Sequence, residues 1–92
     1  MKCIWISANF FGYQLLKFAL QYSIFRRSLR SIIILDKNAR TLVYDIIPED
    51  WWESLAHKYK LKLHKIRNIN NESELIEDLS PDIIFVADGD KL

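Results

Sequence analysis

Apolar and polar positions change their period several times along the chain, and these changes divide it into elements. Residues 2–7, KCIWIS, form a short apolar run with β-branched and aromatic members, broken at Ser7-Ala8-Asn9, which predicts a buried strand. From Gly12 the period turns helical: Leu15, Leu16, Ala19, Tyr22 and Ser23 share one face and Gln14, Lys17 and Gln21 the other, predicting a helix to about Phe25. Arg26 and Arg27 complement the dipole at its end. Ser31-Ile32-Ile33-Ile34-Leu35 is a second unbroken apolar strand, closed by Asp36-Lys37-Asn38, and residues 39–47 read as irregular.

Pro48 and the acids after it suit a helix start, with Asp50 and Glu53 at capping-box spacing. Trp51, Trp52, Leu55, Ala56 and Tyr59 make the apolar stripe of a helix over 49–60. Adjacent tryptophans cannot both point into one core, so one of them is either exposed or packed against residues 39–47, the second being favoured. Leu61-Lys62-Leu63-His64-Lys65-Ile66 alternates and carries lysines, the marks of a half-buried edge strand. Asn71 and Glu74 form another possible capping box, ahead of a short helix with Leu75, Ile76 and Leu79 on its buried stripe. Ser80-Pro81-Asp82 ends it and releases the chain into a fourth strand, Ile83-Ile84-Phe85-Val86-Ala87.

The order βαβαβαβ predicts an α/β fold, a Rossmann-like parallel sheet with right-handed crossovers. The edge character of the third strand gives the spatial order 3-2-1-4, with two helices on one face and the short third helix alone on the other. Ligands in such sheets bind where the winding reverses, here Ser7 to Gly12 facing Ala87 to Leu92. The fourth strand reads as a central strand, without lysine, proline or alternation to protect an edge. It expects a neighbour, so the pattern reads as the front half of a larger domain, residues 1–92 forming its amino-terminal part. On its own, such a strand invites self-association.

Composition narrows the class. Half of the 92 residues are apolar, enough for one small core, and 13 Lys and Arg against 12 Asp and Glu leave no net field to recruit nucleic acid or anionic lipid. The single cysteine, Cys3, lies in an apolar run and suits a reducing compartment, so a cytoplasmic location is expected. No apolar stretch reaches membrane-span length.

Candidate chemistry is sparse. Gly12 is the only glycine in the first strand-to-helix turn, so the dinucleotide fingerprint is missing and the glycine reads as allowing close packing at the helix start. Asp36 stands where such folds hold a ribose, yet an acid in a turn is common. Asp88 and Asp90 flank Gly89 and read as a turn rather than metal ligands, and no metal site is expected. His57 and His64 read as solvated surface residues.

The opening KCIWIS, the stretch LAHKYKLKLHKIRNIN and above all LSPDIIFVADGDKL together resemble the amino-terminal part of the formyltransferase family that uses 10-formyltetrahydrofolate. That family includes methionyl-tRNA, glycinamide ribonucleotide and sugar N-formyltransferases. The resemblance implies transfer of a formyl group to an amine or nucleotide-sugar acceptor. It also implies a cofactor side at Asp88, Gly89 and Leu92, and an acceptor side at Asn9, Phe10, Phe11 and Gly12. Ala8-Asn9 departs from the glycine the family often has there. The family's catalytic Asn, His and Asp lie on later segments, so no residue of this sequence is assigned to that triad. Formyl transfer needs a proton relay and oxyanion donors, so the chain is expected to be inactive alone. The alternative reading is a self-contained Rossmann-like nucleotide-binding or interaction module.

Overall fold

A computed structural model of the chain describes residues 1–7, 9–35, 47–66 and 70–87, without the side chains of residues 35 and 70–73. Its elements are β1 (Cys3–Ile6), α1 (Phe10–Ala19), α2 (Ser23–Ser28), β2 (Leu29–Leu35), α3 (Glu49–Tyr59), β3 (Lys62–Ile66), α4 (Asn70–Leu79) and β4 (Ile83–Val86). The four strands form one sheet of order β3-β2-β1-β4 in which every pairing is parallel, as the pattern predicts.

Alternation along the strands sends side chains to two cores. Cys3 and Trp5 of β1 join Ile32 and Ile34 of β2 beneath Leu16 and Leu20 of α1 and Trp52, Leu55 and Ala56 of α3. Ile4 and Ile33 face the other way, onto Ile66 and the half-buried Leu75, Ile76 and Leu79 of α4. The thinner second core follows from having one helix to cover it.

The first helix differs from the expectation. The periodic run to Phe25 is two helices, parted at Leu20 to Tyr22, where the Tyr22 backbone is extended. This break lets Phe25 turn inward, edge-on to Trp5 and Phe85, with ring centroids 6.0 and 5.5 Å away. Arg26 bridges the break by donating to the Leu20 carbonyl at 2.9 Å, satisfying one of the carbonyls that α1 leaves free. The buried face of α1 is Gly12, Leu16 and Leu20, spaced by four, while Leu15 and Tyr22 are exposed.

The capping box of Asp50 and Glu53 does not form. Pro48 stands at the N-cap of α3 and no side chain caps it, so Asp50 and Glu53 lie inside the helix. Glu53 instead accepts from Lys65 of β3 at 2.6 Å, and Glu49 lies 3.3 Å from the same ammonium. These bonds, that from Glu53 first, raise the Lys65 pKa. Asn71 likewise lies within α4, which begins at Asn70. The predicted irregular segment lies outside the described residues except Ile47, which is buried.

The Pro-Asp turn before β4 sets the register of that strand. The Lys2 amide donates to the Asp82 carboxylate at 2.7 Å, and the Asp82 amide donates back to the Lys2 carbonyl at 2.8 Å. Reciprocal bonds between residues so distant in sequence pin the start of β4 beside the start of β1, and Ile83 then pairs with Cys3.

Candidate functional site

The carboxyl ends of β1 and β4 meet at a buried knot of small residues. Ser7 ends β1, and its hydroxyl donates to the Ala87 carbonyl at 2.6 Å. Asn9 follows in an extended conformation and caps α1, its side-chain oxygen accepting from the Gly12 amide at 2.9 Å. Gly12 then presses against Ser7 and Ala87 so closely that a Cβ there would lie 1.7 Å from the Ser7 hydroxyl and 2.5 Å from the Ala87 carbonyl. Close packing is therefore the role of this glycine, as its position in the sequence suggests.

The candidate residues divide accordingly. Asn9 and Gly12 are buried and their described polar bonds close the turn, whereas Phe10 and Phe11 stand exposed on the first turn of α1. Asp36, Asp88, Gly89, Asp90 and Leu92 lie outside the described residues. The turn brings Ser7, Asn9 and Gly12 against Ala87, at the place predicted for ligand binding. Sequence reasoning missed Ser7 as the residue joining the two strand ends; its only signal is a hydroxyl ending an apolar run.

The described residues of this end, Ser7, Asn9 to Gly12 and Ala87, carry no charged side chain. No Lys or Arg occurs between residues 3 and 16, and exposed Phe10 and Phe11 offer flat apolar rings. Among the described residues, no cluster of three His, Cys, Asp or Glu side chains could hold a metal. No helix among them is long and apolar enough to cross a membrane.

The two histidines differ. His57 is exposed on α3, in line with the sequence reading, but His64 on β3 is half-buried and its Nε2 is buried without a hydrogen-bond partner. This corrects its assignment as a solvated residue: β3 is an edge strand, yet this position points toward the α4 side. Burial, and secondarily the charge of Lys62, lowers the His64 pKa from its ordinary 6.5. The fold therefore disfavours the protonated ring. Stability from this group is full above the unfolded value and is lost as pH falls through the lowered folded value. The midpoint of thermal unfolding is expected to fall between pH 7.5 and pH 5 more steeply in the native protein than in His64→Leu, at roughly those pH values. Equal slopes in the two proteins would remove His64 from this account.

No family model, curated protein or solved structure matches the chain.

Proposed function

We propose that this chain is the amino-terminal part of a formyltransferase that moves a formyl group from 10-formyltetrahydrofolate to an amine acceptor, and that it holds the cofactor without turning it over. The parallel pairing of β4 with β1 supports this reading best. It sets Ala87, within the SPDIIFVADGDKL stretch, beside Ser7 and Gly12, at the switch point where doubly wound sheets take ligands. Asp88, Gly89 and Leu92 serve the folate side, and Asn9 to Gly12 the acceptor side. Asn9 and Gly12 act there by shaping the turn, since the Asn9 side-chain oxygen is taken up by the Gly12 amide. One-carbon metabolism in a reducing cytoplasm suits the buried free thiol of Cys3.

Transfer requires the acceptor nitrogen to attack the formyl carbon while a group nearby takes its proton. Among the described residues at this end there is no imidazole or carboxylate, and the Ser7 hydroxyl is already donated to Ala87. The role left to these described residues is to bind and orient.

A second reading is favoured by the exposed edge of β4. The Ile83 and Ala87 amides donate to the Lys2 and Ile6 carbonyls on the β1 side, so by alternation those of Ile84 and Val86 point outward. Both side chains are exposed, Val86 at 67%. A self-contained nucleotide-binding or interaction module would pair this edge with a second copy, centred on Phe85.

One experiment separates the two readings: amide NMR spectra of the chain titrated with 10-formyltetrahydrofolate and an amine, with mass measured by sedimentation. The formyltransferase reading expects shifts at the Ser7, Gly12 and Ala87 amides and no tetrahydrofolate released. Product formation overturns the claim of inactivity. A dimer whose amides ignore the folate favours the second reading.

A further inference from the structure

A groove lies on the α1 and α3 side of the sheet, and it shares Phe10 alone with the proposed acceptor side. Phe10, Tyr13, Gln14 and Lys17 stand at i, i+3, i+4 and i+7, one stripe of α1, and face Trp51 and Ser54, spaced by three on α3. The groove measures about 480 Å³, within the range of small-molecule sites. Its walls are aromatic. Trp51 is 42% exposed and Phe10 43%, although its neighbour Trp52 is buried. Tyr13 lies against both tryptophans, with its ring centroid 5.5 Å from that of Trp51 and 5.3 Å from that of Trp52.

Three aromatic faces alone suit either a cation or a flat ring. Lys17 decides between them. Its ammonium already lies over the Tyr13 ring, 5.5 Å from the centroid, and repels a second cation. Among the described residues no acid lines the groove; Asp50 and Glu53, each beside a lining residue in sequence, are outside the lining. An occupant that stacks on Phe10 and Trp51 and meets Lys17 must be planar at one end and negatively charged at the other. We propose that this groove binds a mononucleotide, with its base on the aromatic walls and its phosphate at Lys17 and Gln14. The proposal shares Phe10 with the formyltransferase reading but rests on Tyr13, Lys17 and Trp51, and uses neither the β4 loop nor the folate.

The three tryptophans make the test direct: Trp5 and Trp52 are buried, so quenching of tryptophan emission by a ligand reports Trp51. Adenosine 5′-monophosphate is expected to quench saturably. Adenosine, lacking the phosphate, and the Lys17→Gln variant with the nucleotide should each bind about fivefold more weakly. Lys17 is exposed, so this variant keeps the fold, and Trp51→Ala checked by equilibrium dialysis should lose most of the affinity. Absence of saturable binding, choline quenching as well as the nucleotide, or affinity unchanged in both variants overturns the proposal. An adenylate trimer binding about tenfold tighter than the monomer also overturns it, since stacking of successive bases then makes a single strand the occupant.

Discussion

Replacing Trp52 by alanine is expected to remove about 3–5 kcal/mol of stability, the largest loss expected for any one side chain of the protein. Trp52 is fully buried between α1 and the sheet, and Tyr13 meets it edge-on at 88°. A domain of this length holds roughly 5–14 kcal/mol in total, so the variant loses about a fifth of its margin or more. Its melting temperature should fall by at least about 12 °C, and its urea midpoint should drop at unchanged slope. Trp52→Phe refines the expectation. The indole N–H has no hydrogen-bond partner, so phenylalanine removes an unpaired donor along with some volume, and the loss should stay under about 1.5 kcal/mol. Trp51→Ala is the control one residue away. It exposes part of Tyr13 but leaves no closed cavity, and costs about 1 kcal/mol or less. Equal losses at positions 51 and 52 would refute the assignment of which tryptophan faces the core.

That assignment illustrates what the sequence leaves open. Adjacent residues on a helix differ by about 100° in direction, so the pair announces that one indole is outside without saying which. The favoured placement of the outer indole, against residues 39–47, touches residues outside the description. The described partner of Trp51 is Tyr13, a half-buried residue of α1 that the expected stripe did not include. The strand order, by contrast, was legible. Lys62 and Lys65 interrupt β3 with exposed charges, while β1 and the run from Ser31 to Leu35 in β2 are unbroken, and only an outer strand tolerates that alternation.

The break in the first helix was not legible, because Leu20-Gln21-Tyr22 contains neither glycine nor proline and keeps a helical period. Its cause is tertiary: Phe25 packs on Trp5 and Phe85, which belong to strands at opposite ends of the sequence. The same distance hid the Asp82 clasp on Lys2 and the Ser7 bond to Ala87, each between residues 80 apart. A Pro-Asp pair reads as a turn; nothing local tells what its carboxylate will hold.

Gly12→Ala tests the knot at the candidate site, and its sign requires a balance. Alanine favours a helix over glycine by about 1 kcal/mol, and on an open helix the substitution would stabilise. Here the new Cβ would meet the Ser7 hydroxyl at 1.7 Å, the Ala87 carbonyl at 2.5 Å and the Ser7 Cβ at 2.7 Å, all inside van der Waals contact. The hydroxyl can escape by rotating, but then the buried Ala87 carbonyl loses its donor. Overpacking costs about 1–3 kcal/mol and an orphaned buried acceptor about as much. The net expectation is a loss of about 2–4 kcal/mol. Ser7→Gly removes two of the three clashes, so the double variant should be more stable than the two single losses predict, by about 1 kcal/mol or more. The carbonyl remains in the way, so rescue should be partial. Amide exchange adds a local reading: the Ala87 amide, bonded to the Ile6 carbonyl at 3.0 Å, should exchange faster in Gly12→Ala. That is where β4 hands over to the residues proposed to meet the folate. A neutral or stabilising Gly12→Ala, or strict additivity with Ser7→Gly, would mean that the two strand ends are not clasped through this glycine, and the geometry inferred for the site would go with it.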